Sequence, residues 1–286
     1  MEVYQDKDNE HTIYHGNALD VIKKEISDES IDLIFLDPPY NIGKNFAGFD
    51  DKWSSDIEYA EWAYQWIDEC IRVLKPNGSM YLMTSTQAMP YLDLYIRNKL
   101  KVLSRIVWSY DSSGMQAKNF YGSLYEPILY CVKNSKDYCF NSDDILVEAK
   151  TGAKRKLIDY RGDTPKPYNT KKVPGNVWEF PRVRYRMPEY EKHPSQKPRA
   201  LLERIIRASS NEEDTILDPF SGTFTTASVA KALNRRSISI ELQEEYLKIG
   251  LRRVLGWESF KGEALASVVK NTKHKNKKIK ATDTRN

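Results

Sequence analysis

Residues 31–40 have the sequence I-D-L-I-F-L-D-P-P-Y, a nearly continuous apolar run that ends in an acid, two prolines and a tyrosine. Such a run predicts a β-strand covered on both faces by helices. In open α/β sheets, ligands bind beyond the carboxyl ends of the strands. The stretch therefore predicts a parallel strand, Ile31 to Leu36, that carries Asp37-Pro38-Pro39-Tyr40 into a site at the edge of a sheet.

The four residues Asp37 to Tyr40 suit chemistry on the amino group of a base, although Asp-Pro-Pro is also ordinary turn chemistry. The lone pair of such a nitrogen is delocalised into the ring. A carboxylate and the Pro38 carbonyl, each accepting one N–H, would favour a pyramidal nitrogen with its lone pair free. Prolines also remove competing N–H donors, and the Tyr40 ring offers a stacking face worth about 1–3 kcal/mol per base. This site would need an unpaired or flipped base.

A second loop, Asp218-Pro219-Phe220-Ser221-Gly222-Thr223, also follows a predicted strand and precedes a predicted helix. Glycine allows close approach of a ligand, and a helix N-terminus favours an anion. The phosphate-binding patterns G-x-G-x-x-G and G-x-x-x-x-G-K are absent. Glu241 lies about 20 residues beyond the glycine, where an acid holds ribose hydroxyls in nucleoside-binding sheets. Each piece alone could be a tight turn or a solvated acid, but together at strand ends they favour a nucleoside-type cofactor.

Short apolar strands and helical patterns alternate on both sides of these loops. Strands are predicted at residues 12–14, 31–36, 80–83, 104–109, 127–132, 215–217 and 237–240. Helices are predicted at 18–24, 56–74, 198–209, 225–233 and from 244 onward. Residues 111–192 have no sustained period and predict an irregular subdomain. The alternation predicts an α/β fold with a mostly parallel sheet and helices on both faces.

Composition suits a globular protein of 286 residues with 40% hydrophobic and 29% charged residues. No apolar run reaches the ~20 residues that cross a bilayer. Residues 1–10 lack the features of a signal peptide. The three cysteines, Cys70, Cys131 and Cys139, form no C-x-x-C pair, which argues against a disulfide framework or a zinc site. We therefore expect a cytoplasmic protein with no membrane segment and no metal.

Basic residues are clustered although the net charge is only +4. One cluster surrounds residues 182–199, and six lysines lie between Lys270 and Lys280. Clustered cations beside aromatic residues suit a phosphate backbone, whereas a charge run taken alone is more often a solvated surface. The lysine-rich end lacks apolar periodicity and is expected to be a basic tail.

The two motifs resemble those of amino-group DNA methyltransferases of the β arrangement, in which D-P-P-Y precedes an F-x-G-x-G-type cofactor loop. The likeness covers almost all of residues 11–257, and residues 193–198, H-P-S-Q-K-P, match the family segment beside the methionine end of the cofactor. The resemblance implies a Rossmann-like sheet for S-adenosylmethionine in circularly permuted order, with an irregular target-recognition insertion. It implies a catalytic half at 1–132, a target-recognition region at 133–192, a cofactor-binding half at 193–257 and a basic tail at 258–286.

The resemblance also assigns residues to roles. The catalytic residues would be Asp37, Pro38, Pro39 and Tyr40. The cofactor would be held by Asn17, Ala18, Asp37, Ser195, Lys197, Asp218, Pro219, Phe220, Ser221, Gly222, Thr223, Glu241 and Leu242. Double-stranded DNA would be contacted by Lys154, Arg155, Arg161, Arg182, Arg184 and Arg186, more through phosphates than through bases.

Three departures from the family pattern stand out. Phe224 takes the place of the second loop glycine, Asn17 replaces an aspartate, and Tyr125 replaces a histidine before Glu126. The aspartate of D-P-P-Y implies adenine N6 as the methyl acceptor. Further similarity to stand-alone enterobacterial adenine methyltransferases implies the palindrome ATGCAT. Enzymes of this group often pair, so the resemblance leaves a homodimer open.

Two other classes of function remain as alternatives. Related sheets methylate RNA or a protein amide, but they use N-P-P-Y, and Asp37 argues against both. A non-catalytic DNA-binding relative would not need Asp37, Tyr40 and Gly222 intact.

Overall fold

The computed structural model describes residues 1–110, 118–150 and 155–256. Lys154 and the predicted basic tail at 258–286 lie outside the described residues. Both stay predictions from the sequence alone.

The strands are β1 (Glu2–Gln5), β2 (His11–His15), β3 (Ile31–Leu36), β4 (Asn45–Phe46), β5 (Phe49–Asp50), β6 (Leu74–Met83), β7 (Lys101–Ser109), β8 (Tyr125–Val132), β9 (Val147–Glu148), β10 (Ile158–Asp159), β11 (Lys166–Pro167), β12 (Lys171–Lys172), β13 (Val177–Glu179), β14 (Thr215–Asp218) and β15 (Arg236–Glu241). The helices are α1 (Ala18–Glu25), α2 (Asp56–Val73), α3 (Met89–Ile96), α4 (Arg199–Ser209), α5 (Thr225–Ala232) and α6 (Glu244–Leu255), with a 3₁₀ turn at Ser142–Ile145.

The central sheet has the strand order β1-β2-β15-β14-β3-β6-β8-β7-β13. Pairing is parallel from β2 through to β6, whereas β8 runs antiparallel to both β6 and β7. In this order β3, which ends before Asp37, lies beside β14, which ends at Asp218. The catalytic strand precedes the cofactor strand in the chain, so the predicted permuted Rossmann-like fold is confirmed.

Two apolar cores lie on opposite faces of the sheet, because alternate residues of a strand point to opposite sides. On β3, Ile34 and Leu36 pack into the core formed with α1, α2 and α3. Leu33 and Phe35 pack into the other core, which includes residues of α4 and α5. Burial on both faces explains the continuous apolar sequence of this strand, and it holds the start of the D-P-P-Y loop in place.

Most predicted elements agree with the structure, and β3 has the predicted ends. The helix predicted at 56–74 ends at Val73, but the strand predicted at 80–83 begins earlier, because residues 75–78 already belong to β6. The ladder is irregular there, since Ile31 pairs with Leu74 but Leu33 pairs with Ser79. The sequence analysis also missed β1 and α3.

The region predicted for target recognition, 133–192, holds mainly two-residue strands that pair as β9 with β12 and β10 with β11. It is not wholly separate from the core, because β13 joins the central sheet parallel to β7 and buries Trp178. Among the described residues, no helix is long and apolar enough to cross a bilayer. Cys70 and Cys131 are buried and Cys139 is partly exposed, and all three are free thiols.

Candidate active site

One cavity of about 570 Å³ lies at the carboxyl ends of β3, β14 and β15. Its volume is within the range of small-ligand sites, about 300–1,000 Å³. All the residues predicted for catalysis and cofactor binding line it: Asn17, Ala18, Asp37, Pro38, Pro39, Tyr40, Ser195, Lys197, Asp218, Pro219, Phe220, Ser221, Gly222, Thr223, Glu241 and Leu242. The fold therefore brings together in space what the sequence spreads over five segments.

At the catalytic end, Asp37 is enclosed by two hydrogen-bond donors. Its Oδ2 atom lies 2.8 Å from Nζ of Lys197, and its Oδ1 atom accepts a hydrogen bond of 2.6 Å from the Tyr40 hydroxyl. Glu126 on β8 approaches the same two donors, at 3.6 Å from Nζ of Lys197 and 2.9 Å from the Tyr40 hydroxyl. The sequence analysis gave Glu126 no role, because the pairing of β8 with β6 and β7 is not visible in the chain.

Burial sets the charge states of this cluster. Burial raises the pKa of Asp37; Lys197 opposes that shift and Glu126 adds to it. Burial alone would lower the pKa of Lys197, but the carboxylates of Asp37 and Glu126 outweigh it, and its pKa is raised. Burial, followed by the same two carboxylates, raises the pKa of Tyr40 well above its ordinary value. At neutral pH, Lys197 and Tyr40 thus keep their protons and both serve as donors.

The loop after D-P-P-Y is anchored by Asp51, which is fully buried. Its carboxylate accepts hydrogen bonds from the backbone N–H groups of Tyr40, at 3.1 Å, and of Asn41 and Ile42. Sequence reasoning missed this residue, because an acid in a loop is ordinarily a solvated one. Its burial shows that it fixes the backbone beside the catalytic residues.

Two hydroxyl groups hold the carbonyl groups of the same loop. The Tyr59 hydroxyl donates to the Pro39 carbonyl at 2.7 Å, and the Ser85 hydroxyl donates to the Tyr40 carbonyl at 3.3 Å. The Pro38 carbonyl accepts no hydrogen bond from the described residues. It thus keeps its acceptor capacity next to Asp37, on the wall of the cavity.

At the other end, the second loop is tied to Glu241. The Oε2 atom of Glu241 accepts from the Gly222 N–H at 2.8 Å, and Oε1 accepts from the Gln243 N–H, also at 2.8 Å. Gly222 has a positive φ of 49°, and a Cβ there would lie 3.1 Å from Nε2 of His193. A side chain at this position would be both strained and crowded, which explains the glycine.

Two buried acids at this end have strongly shifted pKa values. Burial raises the pKa of Asp218 to about 7, against the opposing hydrogen bonds from the Thr226 hydroxyl and the Phe220 N–H. Burial likewise raises the pKa of Glu241 to about 7. Perturbed carboxyl groups in a cavity are typical of ligand-binding sites.

Two of the departures from the family pattern have structural explanations. Phe224 has a φ of 57°, a conformation that favours glycine, but its ring is fully buried against α6. The ring occupies the space where a Cβ on Gly250 would lie, 2.5 Å away, so the missing side chain at 250 makes room for it. Asn17 caps α1 by accepting a hydrogen bond from the Asp20 N–H.

An aromatic wall closes the cavity next to Phe220. Trp53, Trp62 and Trp66 line it in tilted and edge-to-face contacts with ring centroids 4.7–5.7 Å apart. The Nε1 atom of Trp66 is buried and has no hydrogen-bond partner among the described residues. Buried donors are rarely left unpaired, and this one is enclosed by the protein, so what the wall offers a ligand is the apolar surface of its rings. The sequence analysis gave these three rings no role.

His193 covers the second loop and is neutral. Burial, followed by the charges of Lys197 and Lys44, lowers its pKa to about 3. Its Nδ1 atom accepts a hydrogen bond from the Ser195 N–H at 3.2 Å. The ring proton therefore lies on Nε2, which faces Gly222. The sequence analysis quoted this histidine in a motif but gave it no role.

The residues predicted to contact DNA do not form one cluster, unlike the residues that line the cavity. Arg182 lies with its guanidinium group 5.2 Å from the centre of the Tyr110 ring, on the catalytic side. Arg161 forms an ion pair of 2.8 Å with Asp159 in its own hairpin. The remaining described members of the predicted set, Arg155, Arg184 and Arg186, are exposed. Lys44, which was not predicted, lines the cavity, and burial lowers its pKa.

Comparisons with known proteins agree with this geometry. A family model described as DNA methylase, N6_N4_Mtase, matches residues 31–252. The chain belongs to this DNA methylase family. Membership confirms the enzyme class and the cofactor that the sequence predicts, a DNA methyltransferase that uses S-adenosylmethionine.

The relatives include DNA adenine methyltransferase YhdJ of Escherichia coli K12, which is 60% identical over 259 residues, covering 91% of this chain and 87% of the relative. Type II methyltransferase M.HpaI of Haemophilus parainfluenzae is 38% identical over 241 residues, covering 84% of this chain and 72% of the relative. The solved M1.HpyAVI–SAM complex is 28% identical with a TM-score of 0.56, over 85% of this chain and 99% of that chain. PvuII DNA methyltransferase, described as cytosine-N4-specific, shares the fold at 18% identity, with a TM-score of 0.64 over 91% of each chain.

Proposed function

We propose that this methyltransferase transfers a methyl group from S-adenosylmethionine to the N6 atom of a flipped adenine in double-stranded DNA. The observation that carries the proposal is the pair of acceptors at the end of β3. Asp37 and Pro38 are adjacent residues on the wall of the cavity that the cofactor loop also lines, and the Pro38 carbonyl accepts no hydrogen bond from the described residues. A carboxylate and a carbonyl are the acceptors that an amino group with two N–H bonds requires.

The residues at the other end fit the cofactor. Glu241 would accept the ribose hydroxyls, while the apolar rings of the aromatic wall would hold the adenosine part. Gly222 would allow close approach, and the Nε2–H group of neutral His193 and Ser195 face the end where the cofactor carboxylate would lie. When bound, S-adenosylmethionine supplies an electrophilic methyl group on a positively charged sulfur.

The chain's own contribution to catalysis is then orientation. Asp37 and the Pro38 carbonyl each accept one N–H of the amino group, which turns the nitrogen lone pair towards the methyl group. Tyr40 offers its ring to the base. Asp51, Tyr59 and Ser85 fix the loop so that little alignment remains to be gained at the moment of transfer, and such alignment supplies much of an enzyme's rate.

Two observations favour adenine in DNA as the substrate, the name of a relative and the aspartate at position 37. The relative at 60% identity carries the name DNA adenine methyltransferase, and D-P-P-Y favours adenine over cytosine. We propose the palindrome ATGCAT as the target, and the cytoplasm, where bacterial DNA is accessible, as the location. A homodimer stays a prediction of the resemblance.

The experiment is expression of the wild type and of Asp37→Ala in a methylation-deficient bacterial host, followed by single-molecule sequencing of the DNA. We expect N6-methyladenine at one short motif with the wild type alone. The matched control is Asp8→Ala, at an exposed position, which should methylate like the wild type. Methylation by Asp37→Ala would contradict the role of Asp37. Absence of methylation with a wild type that binds the cofactor would favour an RNA or protein substrate instead.

A further inference from the structure

Both carboxylate oxygens of Asp37 are already engaged in this structure. Oδ2 faces the ammonium group of Lys197 at 2.8 Å, and Oδ1 accepts from the Tyr40 hydroxyl at 2.6 Å. The proposed chemistry, however, needs an oxygen of Asp37 to accept an N–H of the incoming amino group. A competing ammonium group would also draw electron density from that oxygen. Each oxygen has a second lone pair, but Asp37 would be a stronger acceptor for the base if another group received the two donors.

Glu126 is placed for this purpose, because a single carboxylate reaches both donors. Its Oε2 atom lies 2.9 Å from the Tyr40 hydroxyl and 3.6 Å from Nζ of Lys197. The hydroxyl group has one proton, so it can donate to Asp37 or to Glu126 but not to both at once. A rotation of the hydroxyl and a movement of the ammonium group by about an ångström would transfer both donors.

We propose that Glu126 is a positioning residue that takes over Lys197 and Tyr40 when the target base enters, and so frees the oxygens of Asp37 for the amino group. This inference rests on the proposed role of Asp37. The exchange keeps the Lys197 ammonium group paired with a carboxylate, which matters because an unpaired buried charge is costly, while Asp37 accepts the N–H of the base in its place. The side chains of Lys197 and Glu126 are 6% and 19% exposed, so water cannot readily replace either partner.

The sheet and a set of neighbouring charges surround Glu126. It is the second residue of β8 and pairs with Trp108 of β7, which fixes its backbone. The charged and titratable groups that act on it or share its cluster are Asp37, Tyr40, Lys44, Tyr110, Arg182 and Lys197. Three of these six are cations, and they offset the two carboxylates.

The test is the pH profile of kcat for Glu126→Gln, which keeps the size of the side chain but removes its charge. The ammonium group should then stay on Asp37, and kcat at its plateau should fall about tenfold or more, as for the loss of a charged hydrogen-bond partner. The negative charge of Glu126 raises the pKa of Asp37. Its removal should therefore move the acidic limb of the profile to lower pH.

Two further variants separate this role from a structural one. Glu126→Asp keeps the charge and should restore the position of the acidic limb. Glu61→Gln, an exposed residue of α2, should leave the profile unchanged. Binding of S-adenosylhomocysteine, measured by calorimetry, should be the same in all variants within about twofold. A fall in kcat without a shift of the limb, or a kcat that does not fall, overturns the proposal.

A second readout does not need product. In protein labelled with carbon-13 at the aspartate side-chain carboxyls, NMR titration follows Asp37 directly, with Asp37→Asn to assign the signal. The pKa of Asp37 should be lower in Glu126→Gln than in the wild type, and an unchanged pKa overturns the proposal. If the wild type methylates no DNA, the proposed function fails, and this titration still decides whether Glu126 is coupled to Asp37.

Discussion

Glu241 combines a buried carboxyl with two backbone N–H donors, and its pKa is raised to about 7 by burial. A ribose hydroxyl would donate to the ionised form, so binding should favour loss of the proton. The affinity for the cofactor should therefore fall as pH decreases below 7, by up to about tenfold per pH unit, the limit for one proton. At high pH Glu241 is ionised and accepts the hydroxyl hydrogen bonds, so the cofactor binds tightly. At low pH Glu241 is protonated and the cofactor binds more weakly.

Calorimetry of S-adenosylhomocysteine binding between pH 6 and 8 checks this expectation. Protons should be released on binding, visible as a dependence of the measured heat on the buffer. Glu241→Gln should bind more weakly and with a flatter pH dependence. The Asp218 carboxyl accepts hydrogen bonds only from its own loop and from α5. Its titration should therefore remain in Glu241→Gln and give a smaller pH dependence of the affinity. A flat wild-type affinity over this range would rule out Glu241 as the ribose acceptor.

Asp51 is the residue whose loss should harm the catalytic loop most selectively. In Asp51→Asn, one acceptor oxygen becomes an NH₂ group that faces backbone N–H donors. An unsatisfied buried donor costs about 1–3 kcal/mol. We expect a lower melting temperature and a larger loss in kcat than in cofactor affinity, because the bonds hold residues 40–42. Thermal unfolding and steady-state kinetics measure both, with Asp8→Asn as the exposed control; an unchanged kcat would contradict the anchoring role.

At the scale of elements, the start of α5 packs against α6 through the contact of Phe224 with Gly250. The Phe224 ring fills the space above Gly250. In a helix interior, replacing glycine by alanine usually stabilises by about 1 kcal/mol. Here the new Cβ would lie 2.5 Å from the ring, and overpacking costs about 1–3 kcal/mol. We expect the overpacking cost to exceed the gain in helix propensity.

Gly250→Ala should thus lower the free energy of unfolding, as measured by chemical denaturation. The same change in a Phe224→Ala background should be neutral or stabilising, because the ring has gone. This double-mutant cycle isolates the contact from helix propensity. Equal effects of Gly250→Ala in the two backgrounds would show that Phe224 and Gly250 do not interact.

At the scale of the whole molecule, charge is placed unevenly around a modest net value of +4. Lys44 and Arg182 lie on the catalytic side, where a DNA backbone must pass if a base is to reach Asp37. Arg161, by contrast, is paired with Asp159. The same residue type should therefore contribute differently to DNA binding at these positions.

Arg182→Ala should weaken binding to duplex DNA and reduce the slope of log Kd against log salt by about 1, the change expected for one lost phosphate contact. Arg161→Ala should change the slope less, since its charge is already neutralised by Asp159. Fluorescence anisotropy between about 50 and 200 mM salt measures both. Equal slopes for the wild type and Arg182→Ala would place Arg182 away from the phosphates.

The sequence by itself determined the local chemistry and the fold class. The run Ile31 to Leu36 predicted a strand buried on both faces, the two loops favoured an amino group and a nucleoside-type cofactor, and the resemblance to the family implied S-adenosylmethionine and DNA. These features are local in the chain, because period, turn residues and motif spacing need no partner to be recognised.

Only the tertiary structure decided which distant side chains complete the site. Glu126 and His193 lie in family motifs that gave them no role, and Asp51 and Trp66 lie in no motif. An acid, a histidine or a tryptophan looks the same in sequence whether it is solvated, in the core or in a ligand site. Their roles follow from burial and from the strand order, in which β14 lies beside β3 and β8 lies one strand beyond β3, next to β6. Burial, which shifts pKa values and leaves donors unpaired, is a property of the packed molecule rather than of the chain.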